Sequence, residues 1–273
     1  MSSLLIVGGG KMGGALLGGL LGTGALAPAD VTVVEPVAER RDELEALYPG
    51  LRTLHAPEAD VLEPRGDRLP GVLLAVKPDA AEAACRALAV SRAGVTRLLS
   101  IVAGVPCQRL EMALGGEPAV IRAMPNVAAL VGTGVAAMSG GSFATSQDLA
   151  WAEDVLSSVG TVVRLPEQQL DAVTGLSGSG PAYFFLMAEA LIEAGVQMGL
   201  TRAVSRTLVV ETMRGSGALL AETGRDPESL RAEVTSPAGT TAAGVRALEA
   251  RAVRSAFMEA VAAATERSRH LQR

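Results

Sequence analysis

The chain contains 273 residues, of which 49% are hydrophobic and 19% charged, a composition typical of folded proteins with an apolar core. Its formal net charge of −5 argues against nucleic-acid binding, because proteins of that kind usually carry a clustered basic face. Two cysteines and two histidines offer neither a disulfide framework nor a metal cluster, so we expect no bound metal. No run is long and apolar enough for a membrane span and no signal peptide precedes the first apolar run, so we expect a cytoplasmic protein without membrane contact.

Short apolar runs alternate with helical patterns over the first 165 residues. Strands that are apolar throughout and separated by helices predict βαβ units and a mostly parallel sheet covered on both faces. The predicted strands are residues 4–7, 31–34, 71–76, 98–102, 119–123, 135–138 and 161–165. The predicted helices between them are residues 12–21, 39–47, 80–89, 108–114 and 146–158. The polar, proline-containing segment 55–68 receives no assignment.

From residue 167 onward the strand pattern stops, and we predict helices at residues 181–199, 202–222, 227–234 and 245–267. Their faces are rich in alanine, glycine, methionine and leucine, which permits close packing between helices. So long a series of apolar helices has little polar surface to present to water, so we expect this half to dimerise. The predicted fold is α/β, with a doubly wound, mostly parallel sheet over residues 1–165 and an all-α dimerisation domain over residues 166–273.

A glycine-rich loop follows the first predicted strand and opens the first predicted helix. Gly8, Gly10 and Gly13 fit the pattern G-x-G-x-x-G in the strand–loop–helix context that a dinucleotide-binding site requires. The first glycine forms the tight turn, the second admits the pyrophosphate to the helix N-terminus, and the third lets helix and strand pack closely. The first domain is therefore predicted to be an NAD(P)-binding domain of the Rossmann type, the alternative being a glycine-rich turn without a ligand. The predicted cofactor contacts in this loop are Val7, Gly8, Gly10, Lys11, Met12 and Gly13.

An acidic residue, Glu35, stands at the end of the second predicted strand, where a carboxylate can accept hydrogen bonds from the ribose of the cofactor. That would favour NADH, because a 2′-phosphate beside a carboxylate is a contact between like charges. Arg40 and Arg41 follow closely and could reach a phosphate, and Glu35 could equally be a surface residue that precedes a helix. The sequence leaves the choice between NADH and NADPH open.

Further segments lie at the carboxyl ends of other predicted strands, the edge at which open α/β sheets bind their ligands. Together they outline one crevice for the cofactor. The predicted contacts in these segments are Ala75, Val76, Lys77, Pro78, Val102, Ala103, Gly104 and Asn126.

The second half contains two segments of small and hydroxyl residues next to predicted helices, residues 178–183 and 234–241. Unbonded N–H groups at the start of a helix are a site for a carboxylate, although serine and threonine also cap helices routinely. Spacing alone does not separate these two interpretations.

These motifs, taken in order, resemble those of the pyrroline-5-carboxylate reductase family, which catalyses the last step of proline synthesis. The matching segments are residues 8–13, 75–78, 100–105, 124–126, 178–185 and 234–241. The last resembles the family's signature loop V-[TS]-S-P-G-G-T-T, with Ala238 where the family usually has glycine. A methyl group is expected to be tolerated there unless the backbone needs a positive φ. Glu35 is a second departure, since many members have a small or hydroxyl residue near that point and use NADPH.

The resemblance implies a cyclic imine with a carboxylate as substrate and either NADPH or NADH as hydride donor, with L-proline as product. It implies catalytic roles for Ser236 and Thr241, with the hydroxyl of Thr241 hydrogen-bonded to the ring nitrogen. It also implies homodimers through the helical half, often built into larger rings. The residues expected to contact the substrate are Glu233, Ser236, Gly239, Thr240 and Thr241.

Two alternatives remain at this stage. Two-domain dehydrogenases of the β-hydroxyacid type share the layout, but they use a catalytic lysine on a long helix of the second half, and this chain has no lysine after Lys77. A non-catalytic dinucleotide sensor would be expected to have lost the substrate loop, yet Ser236, Gly239 and Thr241 are present.

Overall fold

The structure is a computed structural model, and it describes residues 3–58, 70–90 and 94–271. The chain divides into two compact units. The first contains the described residues through Ser179 together with those from Ala263 onward, and the second runs from Gly180 to Ala262.

One sheet forms the centre of the first unit, and its eight strands in the described residues lie in the order β3-β2-β1-β4-β5-β6-β7-β8. All neighbouring strands are parallel except β6 and β7, which confirms the mostly parallel sheet that the sequence predicts. The strands are β1 (Leu4–Val7), β2 (Val31–Val34), β3 (Arg52–Leu54), β4 (Gly71–Leu74), β5 (Arg97–Ser100), β6 (Ala119–Pro125), β7 (Gly134–Gly140) and β8 (Gly160–Arg164).

Helices cover both faces of the sheet because successive strand residues point to opposite faces. Leu4 and Ile6 of β1 pack in one cluster with the helices that contain Leu16 and Val155. Their neighbour Leu5 packs in the other cluster, together with Leu88 and Leu110. The helices of the first unit are α1 (Lys11–Gly22), α2 (Ala38–Leu47), α3 (Ala81–Ala89), α4 (Cys107–Leu114), α5 (Ser146–Ser157) and α6 (Leu170–Val173).

Strand β3 and helix α6 have no counterpart in the sequence prediction. Strand β3 has only three residues, too few to show a hydrophobic period. Helix α6 continues into a five-residue π-helix, Thr174–Gly178, where sequence patterns of period 3.6 are lost. Within the unassigned segment 55–68, the four residues that the structure describes, 55–58, belong to no helix or strand, and the rest lies outside the described residues.

A buried ionic cluster attaches residues 166–179 to the sheet. Arg122 of β6, whose side chain is 5% exposed, lies 3.4 Å from a carboxylate oxygen of Glu167 and 3.7 Å from one of Asp171. Asp171 also accepts a 2.8 Å hydrogen bond from the hydroxyl of Ser268 near the end of the chain. These contacts place both segments with the first unit, whereas the sequence predicts a domain boundary between residues 165 and 166.

The second unit is helical. Its helices are α7 (Gly180–Gln197), α8 (Arg202–Thr223), α9 (Pro227–Glu233), α10 (Thr240–Ala250) and the first part of α11 (Val253–Leu271). The single helix predicted at residues 245–267 is wrong, because the chain breaks between α10 and α11 at Ala252, which has φ 54°. Alanine is the best helix former, so the sequence carries no signal for this break.

Candidate active site

The loop between β1 and α1 lies at the point where the strand order changes direction, since β1 is flanked by β2 on one side and β4 on the other. Gly8 has φ 105°, a conformation that favours glycine. A β-carbon at Gly8 would lie 2.5 Å from the carbonyl oxygen of Ala75, which follows β4. The first glycine therefore forms the turn and allows close approach to the end of β4.

Gly10 and Gly13 occupy the two other positions of the glycine pattern. Gly13 is buried, and a β-carbon there would collide with the carbonyl oxygen of Gly8. Gly10 is exposed, and a β-carbon there would meet no atom within 4 Å. An open position directly before the N-terminus of α1 is the cradle that a pyrophosphate requires, so the loop fits a dinucleotide.

Glu35 is 8% exposed at the end of β2. One of its carboxylate oxygens accepts a 2.9 Å hydrogen bond from the N–H of Gly9, and the other accepts a 3.1 Å bond from the N–H of Val37. Gly9 has no predicted role in the glycine pattern, yet its N–H binds Glu35, and a β-carbon there would lie 2.8 Å from a side-chain carbon of Leu44. The carboxylate of Glu35 thus stabilises the glycine loop through its hydrogen bond with Gly9.

The two arginines after Glu35 bind the protein backbone. Arg40 donates from Nε to the carbonyl oxygen of Gly9 at 2.7 Å and pairs with Glu43 at 2.8 Å. Arg41 donates from one nitrogen to the carbonyl oxygens of Glu35 and Pro36 at 2.8 and 3.0 Å.

The remaining segments predicted to contact the cofactor follow β4, β5 and β6, three neighbours in the sheet. Ala75 and Val76 are half-buried, whereas Lys77 and Pro78 are exposed. Ser100 accepts a 3.3 Å hydrogen bond from the N–H of Val102. The structure therefore brings the predicted positions Ala75, Val76, Lys77, Pro78, Val102, Ala103, Gly104 and Asn126 to the edge of the sheet that also carries the glycine loop.

The predicted substrate loop lies in the second unit, directly before α10. The N–H of Gly239 donates to the carbonyl oxygen of Ser236 at 3.0 Å and closes a four-residue turn. Ala238, in the third position of that turn, has φ 59°. The methyl group was expected to be tolerated only if the backbone at this position does not need a positive φ. The backbone does have a positive φ, so Ala238 is strained.

Helix α10 begins at Thr240, immediately after this turn. The side chains of Ser236, Thr240 and Thr241 are exposed, and Gly239 forms the N-cap without a side-chain hydrogen bond. The first N–H groups of a helix have no carbonyl partner within it and can bind an anion. Hydroxyl groups and N–H groups therefore occur together at this turn.

Glu233, the fifth residue expected to contact the substrate, ends α9. Its carboxylate binds the guanidinium of Arg225, with one contact at 3.0 Å. This hydrogen bond and the positive charge of Arg225 lower the pKa of Glu233 below its ordinary value. Its contact with the substrate stays a prediction.

Within the described ranges, no group of three or more histidine, cysteine, aspartate and glutamate side chains could hold a metal ion. A search of the same residues finds no helix with the length and apolarity needed to cross a membrane.

Two family models match the sequence. The model described as NADP oxidoreductase, coenzyme F420-dependent, matches residues 3–104. The model described as pyrroline-5-carboxylate reductase dimerisation matches residues 167–271. Together with the doubly wound sheet and its glycine loop, these matches define an NAD(P)H-dependent oxidoreductase with a helical dimerisation domain.

Full-length relatives give the family. The pyrroline-5-carboxylate reductase of Synechocystis is 43% identical, with 97% of each chain covered, and that of Mycobacterium tuberculosis is 41% identical, covering 100% of this chain and 97% of the relative. A solved pyrroline-5-carboxylate reductase from Coxiella burnetii is similar with a TM-score of 0.91 at 31% identity, covering 100% of this chain and 99% of the other. The chain belongs to the pyrroline-5-carboxylate reductase family, as its motifs indicate.

A second solved structure shows a family member with its cofactor. The pyrroline carboxylate reductase of Plasmodium falciparum, with NADP bound, has a TM-score of 0.83 at 28% identity. The match covers 100% of this chain and 98% of the Plasmodium chain. Neither the β-hydroxyacid dehydrogenases nor a non-catalytic sensor is supported by these matches.

Proposed function

We propose that the chain reduces the C=N bond of 1-pyrroline-5-carboxylate with hydride from NADPH or NADH and releases L-proline, the last step of proline biosynthesis. One observation carries the proposal. In a chain that is similar to pyrroline-5-carboxylate reductases over its whole length, the turn from Ser236 to Gly239 places the exposed hydroxyl of Ser236 directly before the first N–H groups of α10.

The glycine loop and the neighbouring strand ends form the proposed cofactor site. The open position at Gly10 and the N-terminus of α1 suit the pyrophosphate, and the exposed ammonium group of Lys77 suits the negative charge of the cofactor. When bound there, the dinucleotide supplies the hydride. The task of the chain's own residues is to hold the donor in one orientation, a large part of the catalysis of a hydride transfer.

The turn and the start of α10 form the proposed substrate site. The N–H groups of the first turn of α10 and the hydroxyl of Ser236 would hold the carboxylate of the imine. The hydroxyl of Thr241 would hydrogen-bond the ring nitrogen. A protonated imine is already a good hydride acceptor, so these residues need only orient it and balance its charge. A threonine hydroxyl is too weak an acid to be the sole proton source, which is why we assign Thr241 an orienting role.

We further propose that residues 166–273 form the homodimer interface and the substrate-binding domain, that residues 1–165 bind the cofactor, and that the protein is cytoplasmic. The match of residues 167–271 to a dimerisation model supports the homo-oligomer. The exposed apolar side chains of α7 and α8 support it as well, because monomeric proteins rarely expose large apolar patches.

The proposal is tested by incubating the purified chain with 1-pyrroline-5-carboxylate and either NADH or NADPH. We expect oxidation of the cofactor with formation of one L-proline for each cofactor oxidised. The absence of turnover with both cofactors, in protein that binds a dinucleotide, would overturn the assigned reaction.

A further inference from the structure

We infer that this chain prefers NADH to NADPH and that Glu35 determines the preference. The inference rests on the proposed function, because it concerns the cofactor of that reaction. It is drawn from the hydrogen bonds around the end of β2, which the sequence does not show.

Glu35 is fixed in position by the loop that it supports. Its two carboxylate oxygens accept hydrogen bonds from the N–H groups of Gly9 and Val37, at 2.9 and 3.1 Å, and the residue is 8% exposed. A carboxylate has about four lone-pair sites, so each oxygen can accept one further bond. At this position of a doubly wound sheet, a carboxylate typically accepts hydrogen bonds from the hydroxyl groups of the adenosine ribose.

The arginines near Glu35 bind other groups than its carboxylate. Among the described residues, no lysine or arginine forms an ion pair with its carboxylate. Arg40 is bound to the carbonyl oxygen of Gly9 and to Glu43, and Arg41 is bound to the carbonyl oxygens of Glu35 and Pro36. Each guanidinium keeps N–H donors outside these bonds, so the preference rests on the carboxylate of Glu35 and not on a lack of donors around it.

A 2′-phosphate at this place would therefore meet a fixed negative charge, whereas a 2′-hydroxyl would meet an acceptor. Removing or displacing the carboxylate is costly because the N–H of Gly9 would lose its partner in a buried position. The site thus accepts the ribose of NADH and disfavours the phosphorylated ribose of NADPH.

The first test measures binding without turnover. Calorimetric titration of the intact protein with NADH, NADPH, ADP-ribose and 2′-phospho-ADP-ribose compares each phosphorylated compound with its parent. We expect the phosphorylated member of each pair to have a dissociation constant at least about tenfold higher, the ratio that corresponds to about 1.4 kcal/mol. Equal binding, or tighter binding of NADPH, would overturn the inference.

A second test changes the charge with little change of shape. In Glu35→Gln the amide oxygen can still accept the bond from Gly9, and we expect the NADPH to NADH ratio of dissociation constants to fall by about tenfold. Glu39→Gln is the matched control, since Glu39 is an exposed glutamate in the first turn of α2, and its ratio should stay within about twofold. An unchanged ratio in Glu35→Gln would remove Glu35 as the determinant.

The two proposals fail in different ways. If NADH binds more tightly than NADPH but neither cofactor is oxidised by the imine, the assigned reaction is wrong and the cofactor preference stands. If the imine is reduced efficiently and NADPH is the tighter ligand, the reaction stands and the role of Glu35 is wrong.

Discussion

At the scale of single residues, Ala238 has a left-handed backbone conformation in the substrate turn, at the position where the signature loop that this sequence resembles has glycine. Alanine at φ 59° is strained by about 1 kcal/mol or more, whereas glycine adopts this conformation without strain. The sequence motif identifies the position as unusual, but only the backbone shows that the substitution has a cost. The turn keeps its hydrogen bond between Gly239 and Ser236 in spite of that strain.

We predict that Ala238→Val raises the KM for the imine by about tenfold, since a β-branched residue at positive φ is a severe outlier and would distort the substrate turn. Ala238→Gly should preserve kcat/KM, because it removes the strain. Ala243→Val, at an exposed helical position of α10, is the control and should behave like the wild type. Steady-state kinetics and melting curves of the three variants provide the comparison. A wild-type KM in folded Ala238→Val would contradict the role given to the turn.

The two cysteines give a prediction about pH. Burial raises the pKa of the Cys85 thiol from 9.0 to about 12, and burial also raises the pKa of Cys107 above its ordinary value. Because the folded protein holds these protons more tightly than the unfolded chain, their stabilising effect is complete below pH 9 and is lost as the pH rises toward 12. The free energy of unfolding should therefore fall in this range, by up to about 1.4 kcal/mol per pH unit for each cysteine.

Denaturant unfolding of the wild type and of Cys85→Ala at several alkaline pH values tests this expectation. The variant should lose stability with a shallower pH slope, whatever its stability at neutral pH. Parallel slopes would show that Cys85 does not titrate as its burial implies.

At the scale of elements, the glycines of the loop have two different roles. Gly13 is required for the packing of the fold, whereas Gly10 is required for the approach of a ligand. We predict that Gly10→Ala folds like the wild type, because its β-carbon would meet no atom within 4 Å. Its dinucleotide affinity should nevertheless fall by about tenfold or more, since the methyl group would occupy the approach of the pyrophosphate. Gly13→Ala should instead lower the melting temperature, because of the collision with the carbonyl oxygen of Gly8.

Gly22→Ala is the control for both variants, because Gly22 is exposed at the end of α1 and has open space around it. Circular dichroism melting and dinucleotide titration distinguish the outcomes. Unchanged affinity in Gly10→Ala would place the pyrophosphate elsewhere.

The sequence predicts the helices and strands well where the hydrophobic pattern is long and periodic. It fails where a helix ends because of a backbone conformation that no side chain indicates. The strands β1, β2 and β4 to β8 follow from apolar runs, and the crevice residues follow from their position at strand ends. The break at Ala252 has no sequence signal, because a left-handed alanine at the end of a helix looks like any other alanine. The hydrogen bond between Glu35 and Gly9, which joins residues 26 positions apart, also depends on the folded sheet.

At the scale of the whole molecule, the second unit exposes many large apolar side chains on α7 and α8. Phe184, Phe185 and Leu186 of α7 are 60%, 61% and 67% exposed, and three successive helical residues cannot share one buried face. We predict that light scattering finds assemblies of at least two copies of the 27.8 kDa chain at all working concentrations.

Leu186→Glu should weaken that assembly, whereas Val90→Glu, at an apolar residue of the first unit that is 83% exposed, should not. A mass of one chain at every concentration of the wild type would contradict the expected dimer.

In the proposed function, the glycine loop holds the hydride donor and the turn before α10 holds its acceptor. The decisive measurement is the turnover rate and the dinucleotide dissociation constant of Thr241→Ala, beside Thr235→Ala, whose hydroxyl already donates to the carbonyl oxygen of Arg231. For Thr241→Ala we expect a rate that falls by roughly one to two orders of magnitude, because one directed hydrogen bond is lost, with an unchanged dinucleotide affinity. Thr235→Ala should keep the wild-type rate. A normal rate in folded Thr241→Ala, or a loss of dinucleotide affinity as large as the loss of rate, would show that Thr241 does not act on the hydride acceptor.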